Sequence, residues 1–276
     1  MTVYEAPAKL NLSLLVSPPR SDGYHPLESL VQTIEWCDRL EIVRGEGRDE
    51  LDSDIDDNLV LMALRALRQI GDVPPLAMSL VKEIPIAAGM GGGSADAAAA
   101  LVAGAETARI PRSRLGEVAW KVGADVAFFL EGGTAVMRGI GDELEAVQPA
   151  DGFAVAVVVP EFGLLTEDVY ARWDVMEGPV GNPVPEDELP PSLRGRIPMR
   201  NDLLPAALDV EPLLGDFMAD VAAIWGTMAC LTGSGSACFG YFATLDEATD
   251  AAAAVSPSAR VSRGVTLRDR GVNRMQ

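Results

Sequence analysis

The run Gly89-Met90-Gly91-Gly92-Gly93-Ser94 has the composition of a backbone that approaches a ligand closely. Glycine carries no Cβ and tolerates positive φ, so its amides can be turned toward a bound group. The segment behind it, ADAAAALVAGAETARI, reads as an alanine-rich helix with Ser94 at or near its N-cap. A helix start offers unpaired amides and roughly half a positive charge, and the two together make an anion cradle. An ordinary glycine turn is the plain alternative, but glycine at 89, 91, 92 and 93 with serine behind exceeds what a turn needs. Phosphate is the anion this chemistry suits. The commoner nucleotide loops do not fit, since the chain has no GxxxxGK[ST], no third glycine for GxGxxG and no HRD or DFG.

Three other places carry candidate chemistry. Lys9, in PAKLNL, enters an apolar strand with Asn11 on the same face; it is either paired and functional or a solvated strand-end lysine. Asp125, in VGADVAFFL, is either a rim carboxylate able to accept a proton or a turn aspartate held by local amides, and alone it reads as the latter. His25 is the single histidine, in the loop SDGYHPLES. It is either incidental or, with Tyr24, a grip for a planar ring. One histidine excludes multi-histidine metal sites. Asp52, Asp54, Asp56 and Asp57 lack the glycine and glutamate of a calcium loop and read as a solvated acidic turn. Gly233-Ser234-Gly235-Ser236 forms a second close-approach turn, which suggests two backbone walls around one anionic ligand.

These residues need elements to hold them. Residues 10–16 read as a buried strand, and 29–35 and 39–43 as two paired strands joined at Trp36–Cys37–Asp38. A helix is expected over 59–70, a strand near 77–84, the long alanine helix after Ser94, and another helix over 112–121. Residues 126–130 (VAFFL), 134–138 and 153–159 read as strands. PADG near residue 150 marks a boundary between domains 1–150 and 151–276. Beyond it come a helix near 167–173, a proline-rich loop over 176–198, helices near 202–208, 212–228 and 245–254, and a strand over 261–267. The order lacks regular βαβ repetition, so the class is α+β.

Composition narrows the function. The formal net charge is −19, which argues against nucleic-acid and anionic-membrane partners. No long apolar run suggests a membrane span, the first residues lack a signal-peptide layout, and three scattered cysteines form no framework, so a cytoplasmic protein is expected. The only lysines are Lys9, Lys82 and Lys121. If the chain holds phosphate, backbone amides must do much of the holding.

Taken together, the motifs resemble the GHMP kinase superfamily. Its PAK strand, PxxxGxGGGSA loop and C-terminal glycine turn occur in order as Pro7-Ala8-Lys9, Pro85 to Ala95, and Gly233 to Gly240. DGYHPLESLVQTIEWCDRLEI and VGADVAFFL bring the match closer to the branch that phosphorylates 4-diphosphocytidyl-2-C-methyl-D-erythritol. The resemblance implies an N-terminal ribosomal-protein-S5-like domain, a C-terminal ferredoxin-like domain and an active site in the cleft between them. It implies ATP as phosphoryl donor and Mg2+ as its partner ion. Lys9 and Asp125 match the catalytic pair, with Asp125 as base and Lys9 orienting. Pro85, Ile86, Ala87, Ala88, Gly89, Met90, Gly91, Gly92, Gly93, Ser94 and Ala95 match the ATP loop, with Ser94 near phosphate and magnesium. Lys82 and Asn58 match ATP-side positions. Tyr24 and His25 match residues that hold cytosine, Asn11 supports the methylerythritol end, and Thr166, Tyr170, Gly233, Ser234 and Gly235 lie on the substrate side. Departures from the pattern are Ala87 and Ala88 in place of glycines, and Ala95 and Ala237 in place of hydroxyl residues. The rivals are a GHMP kinase for homoserine, mevalonate or a sugar, which needs no base-holding loop, and a silent nucleotide-binding protein, which needs no Lys9–Asp125 pair.

Overall fold

The computed structural model describes residues 1–53 and 59–275; Asn58 and the acidic Asp54, Asp56 and Asp57 lie outside the described residues. The chain runs β1 (Thr2–Val16), β2 (Leu27–Arg44), β3 (Glu50–Asp52), α1 (Leu59–Leu67), β4 (Leu76–Val81), α2 (Gly92–Ala108), α3 (Leu115–Val122), α4 (Ala124–Glu131), β5 (Thr134–Gly139) and β6 (Glu143–Ala146). It continues through β7 (Ala154–Val159), α5 (Thr166–Val175), α6 (Leu204–Val210), α7 (Leu213–Trp225), β8 (Cys230–Leu231), β9 (Cys238–Phe242), α8 (Leu245–Val255), β10 (Val261–Thr266) and β11 (Asn273–Arg274). The class is α+β, as the element order implies.

The first sheet is built on β1 and β2, which pair antiparallel along most of their length. The expected break at Trp36–Cys37–Asp38 is not a turn. β2 is one strand, and the pairing slips between Pro7 and Ala8, where Cys37 and Ile34 are the successive partners. The extra residues form a bulge that bends the strand and keeps Trp36 inside, 1% exposed. That bend lets the second edge of β2 pair with β5 through Leu27–Gln32 and with β4 through Arg39–Arg44. β3 adds to β4 in parallel, and β6 adds to β5.

α2 is buried from Ala95 through Ala105 on all faces. A helix this apolar all round belongs inside, and alanine makes it thin enough to lie between β1, α1 and α4. Residues 126–130, expected as a strand, are helical in α4. A short apolar run looks the same in either state, and here the flanking Gly123 and Gly132 mark its ends. Val126, Phe128, Phe129 and Leu130 are all buried because α4 packs against α2 and α3.

The second sheet has the order β10-β7-β9-β8, all antiparallel. With a helical connection between β7 and β8 and α8 between β9 and β10, this is the βαββαβ arrangement of ferredoxin-like folds. Leu10, Ile34 and Trp36 of the first sheet share one apolar cluster with Val155, Val157 and Phe239 of the second. The tail after β10 returns to the first sheet, where β11 pairs with β1 at Tyr4 and Glu5. On the way the Arg268 guanidinium, 1% exposed at the side chain, reaches Glu5 and Glu35 at 2.9 and 2.7 Å. Gly271 and Val272 donate backbone hydrogen bonds to the Glu131 and Phe129 carbonyls at 2.7 and 2.8 Å. The tail thus grips the C-terminal end of α4.

That grip requires glycine at 271, since a Cβ there would lie 2.1 Å from the Phe129 carbonyl oxygen. Gly271→Ala is expected to lower the melting temperature by about 5–10 °C. Gly116→Ala, where a Cβ meets nothing within 4 Å, is expected to leave it unchanged or raise it slightly. A thermal scan of both variants checks this.

Candidate active site

A cleft of about 450 Å³ opens between β1, the loop from Pro85 to Gly93, the start of α4, α5 and the turn at Gly233–Ser234. Lys9 stands on β1 and Asp125 in the first turn of α4. Their side chains meet with Lys9 Nζ 3.7 Å from Asp125 Oδ2. The lysine side chain is 8% exposed and the carboxylate 32%, so the pair sits at a floor open on the carboxylate side. Lys9 Nζ also donates to Asn11 Oδ1, and Asn11 Nδ2 donates to Ser29 Oγ at 2.7 Å. Asn11 shares the face of Lys9, as a two-residue strand spacing requires.

The glycine loop faces this pair. The backbone amide of Lys9 donates to the Met90 carbonyl at 3.0 Å, which fixes the loop to β1. Gly89 and Gly91 adopt φ of 75° and 71°, in the left-handed region. Gly91 itself caps α2, with no side-chain cap, so Ser94, expected at or near the cap, is the third helical residue. The left-handed turn at Gly91 brings the first residues of α2, Gly92 to Ser94, onto the cleft wall. Ala87 also has positive φ, at 57°. An L-residue there costs about 1 kcal/mol.

The second glycine turn closes on the first. Ala237 N–H donates to the Ala88 carbonyl at 3.2 Å, and Asn11 N–H donates to Thr232 Oγ1 at 2.9 Å. Thr166 Oγ1 and Ser234 Oγ lie 2.9 Å apart, joining α5 to this turn. Tyr170, one helical turn beyond Thr166, lines the same wall. Burial, with a smaller push from the Asp125 charge, raises its hydroxyl to about 12, so it stays a donor.

The cleft therefore brings together Lys9, Asn11, Lys82, Pro85 through Ser94, Asp125, Thr166, Tyr170, Gly233 and Ser234. Ala95 instead faces the core at 0% exposure, and Gly235 packs under Leu164 and Leu231. Tyr24 and His25 lie in the β1–β2 connection outside the cleft lining. Tyr24 is exposed. His25 is held by Asp174, with Nε2 2.7 Å from Oδ1, and its ring stands 5.0 Å from Tyr170 and 5.5 Å from Trp173. It thus borders the cleft through Tyr170. Asp174 and Trp173 were not singled out in the sequence, though they follow Tyr170 at helical spacing.

Two further carboxylates were also missed. Lys82 Nζ bonds Asp38 Oδ2 and lies 2.6 Å from Asp96 Oδ2. Asp38 is 0% exposed, and its Oδ1 accepts the amides of Glu83 and Ile84 at 2.6 and 2.8 Å. Burial pushes the Asp96 carboxyl up to about 7 against the pull of Lys82. Burial alone would lower the Lys82 ammonium, but Asp96 and Asp38 outweigh it and leave it raised.

No group of three or more His, Cys, Asp or Glu able to hold a metal occurs among the described residues. A magnesium ion that travels with phosphates needs only one or two protein oxygens. Ser94 Oγ, in the first turn of α2 and on the cleft wall, fits that lesser demand. Among the described residues no helix is long and apolar enough to cross a membrane.

The family described as GHMP kinases N terminal domain matches residues 58–133. A 4-diphosphocytidyl-2-C-methyl-D-erythritol kinase of Rhizobium etli is 38% identical, covering 91% of this chain and 89% of its own. One from Mesorhizobium japonicum is 36% identical, covering 91% and 90%. A crystal structure of 4-(cytidine 5'-diphospho)-2C-methyl-D-erythritol kinase superposes with a TM-score of 0.79 at 31% identity, covering 96% of this chain and 98% of that one. A homoserine kinase from Cytophaga hutchinsonii shares the fold, with a TM-score of 0.71 at 15% identity over 99% and 97%.

The contact between the two glycine turns has no space for a side chain. A Cβ on Gly89 would lie 2.5 Å from the Thr232 carbonyl oxygen, on a backbone of positive φ. Gly89→Ala is expected to weaken ADP binding at least about tenfold, read by titration calorimetry. Ala87→Gly, which relieves the left-handed alanine, is expected to leave that affinity within about threefold.

Proposed function

Because this chain belongs to the 4-diphosphocytidyl-2-C-methyl-D-erythritol kinases within the GHMP kinases, we propose that it transfers the terminal phosphoryl group of ATP to the 2-hydroxyl of 4-diphosphocytidyl-2-C-methyl-D-erythritol, in the non-mevalonate route to isoprenoid precursors. The observation that supports this most is the Lys9–Asp125 pair, 3.7 Å apart and facing the glycine loop across one cleft. Phosphoryl transfer demands positioning and charge stabilisation more than covalent work by the protein.

In this reading Asp125 accepts the proton of the attacking hydroxyl as its oxygen bonds to phosphorus and the bond to the bridging oxygen of ADP breaks. Lys9, held by Asn11, orients that hydroxyl and offsets the charge gathering on the transferred group. The amides of Gly91 to Ser94 at the start of α2 receive the phosphates. Ser94 Oγ is the protein oxygen that would touch magnesium, and the ion would supply further charge neutralisation on the phosphates. Thr166, Ser234 and Tyr170 line the alcohol side, with the Tyr170 hydroxyl as donor. His25, braced by Asp174 and set against Tyr170 and Trp173, stands where a planar base would be gripped. Gly235 packs behind Ser234, supporting the turn from below the cleft surface.

Asp125→Asn separates the base role from binding. A coupled ADP-release assay is expected to show kcat reduced by about 10²–10⁴-fold. Calorimetry is expected to show ADP affinity within about threefold of the wild type, because Asp125 touches the alcohol and not the nucleotide. Loss of ADP binding in this variant would contradict the assignment.

A further inference from the structure

Lys82 looks like a phosphate-binding lysine by its place at the loop, but its ammonium is turned inward. Two of its three donors are spent on Asp38 Oδ2 and Asp96 Oδ2, and its side chain is 15% exposed. Its Nζ would stand 3.2 Å from a Cβ on Gly92, which places it beneath the first turn of α2. Asp38 is anchored independently by the amides of Glu83 and Ile84, the two residues before the glycine loop begins at Pro85. This buried carboxylate, tied to two backbone amides, lies close to the anion cradle. Without a counterion it would repel any phosphate placed there.

We propose that Lys82 is a positioning residue that acts on the nucleotide through Asp38: it is the counterion that cancels a structural carboxylate under the cradle, and it does not itself grip phosphate. Asp38 does the complementary work, fixing the entry of the loop through its other oxygen. The inference rests on the nucleotide site proposed above. It explains why a chain with three lysines buries one against two aspartates beside its anion site.

The two roles for Lys82 differ in how they respond to a second substitution. Asn at 38 keeps an acceptor for the two amides and removes the charge, so Lys82→Met with Asp38→Asn restores the net charge of the wild type. Calorimetric titration of the full-length protein with ADP reads the outcome. Lys82→Met is expected to weaken ADP binding about tenfold. Asp38→Asn alone is expected not to weaken it, and the double variant is expected to return within about threefold of wild type. Lys82→Arg, which keeps the charge with a different head group, is expected to bind within about threefold as well. It also supplies the answer if Lys82→Met does not fold. A double variant as weak as Lys82→Met, or a tenfold loss with Arg, would overturn the proposal in favour of direct contact. Wild-type protein that binds no ADP would overturn the nucleotide site itself.

Discussion

Gly91 is the point at which the elements of the cleft converge, and it has no room for a side chain. A Cβ there would lie 2.9 Å from Phe129 Cζ and 3.2 Å from Lys9 Cγ. Those two neighbours come from α4 and β1, the elements that carry Asp125 and Lys9. The same glycine, left-handed at φ 71°, caps α2 and aims its first amides. One small, left-handed position therefore sets three things together: Asp125 proposed as base, Lys9, and the helix start proposed to receive phosphate. The spacing of Lys9 from Asp125 follows from how closely α4 can approach β1 across it. The C-terminal tail finishes the arrangement by clamping the end of α4 through Gly271 and Val272.

The second constraint is charge. A chain of net charge −19 must hold a polyanion. Two of its three lysines, Lys9 and Lys82, line the cleft, and each is paired there with aspartate. What remains to attract phosphate is mainly backbone: the amides of the loop and the dipole of a buried seventeen-residue helix. Such donors are fixed by the fold and need no reorganisation when charge moves during transfer.

Much of the site was legible in the sequence because it lies in short local motifs. PAK, the glycine loop and VGAD announce their residues by type and order, and Lys9, Asp125 and Gly89 to Ser94 do converge. What stayed hidden depends on long-range packing. Asp38 is 44 residues from Lys82, and nothing local in WCDR marks it as a partner. Asp174 and Trp173 reach His25 only because α5 crosses the β1–β2 connection. Helix α4 reads as a strand in sequence because five consecutive apolar residues carry no periodicity to separate the two states. Strand β2 was read as two because a bulge at Trp36 resembles a turn in sequence. Ser94 stands near the cap, while the left-handed Gly91 takes the cap itself, a choice that tertiary contact with β1 makes and propensity does not.

In the proposed reaction this cleft moves a phosphoryl group from ATP to a sugar-alcohol hydroxyl. Phosphorus NMR of a reaction containing the protein, MgATP and 4-diphosphocytidyl-2-C-methyl-D-erythritol observes that transfer directly. A new phosphomonoester signal on the 2-position, growing in step with ADP, is the predicted result. ADP and inorganic phosphate without that ester, or an unchanged spectrum from folded protein, would contradict it.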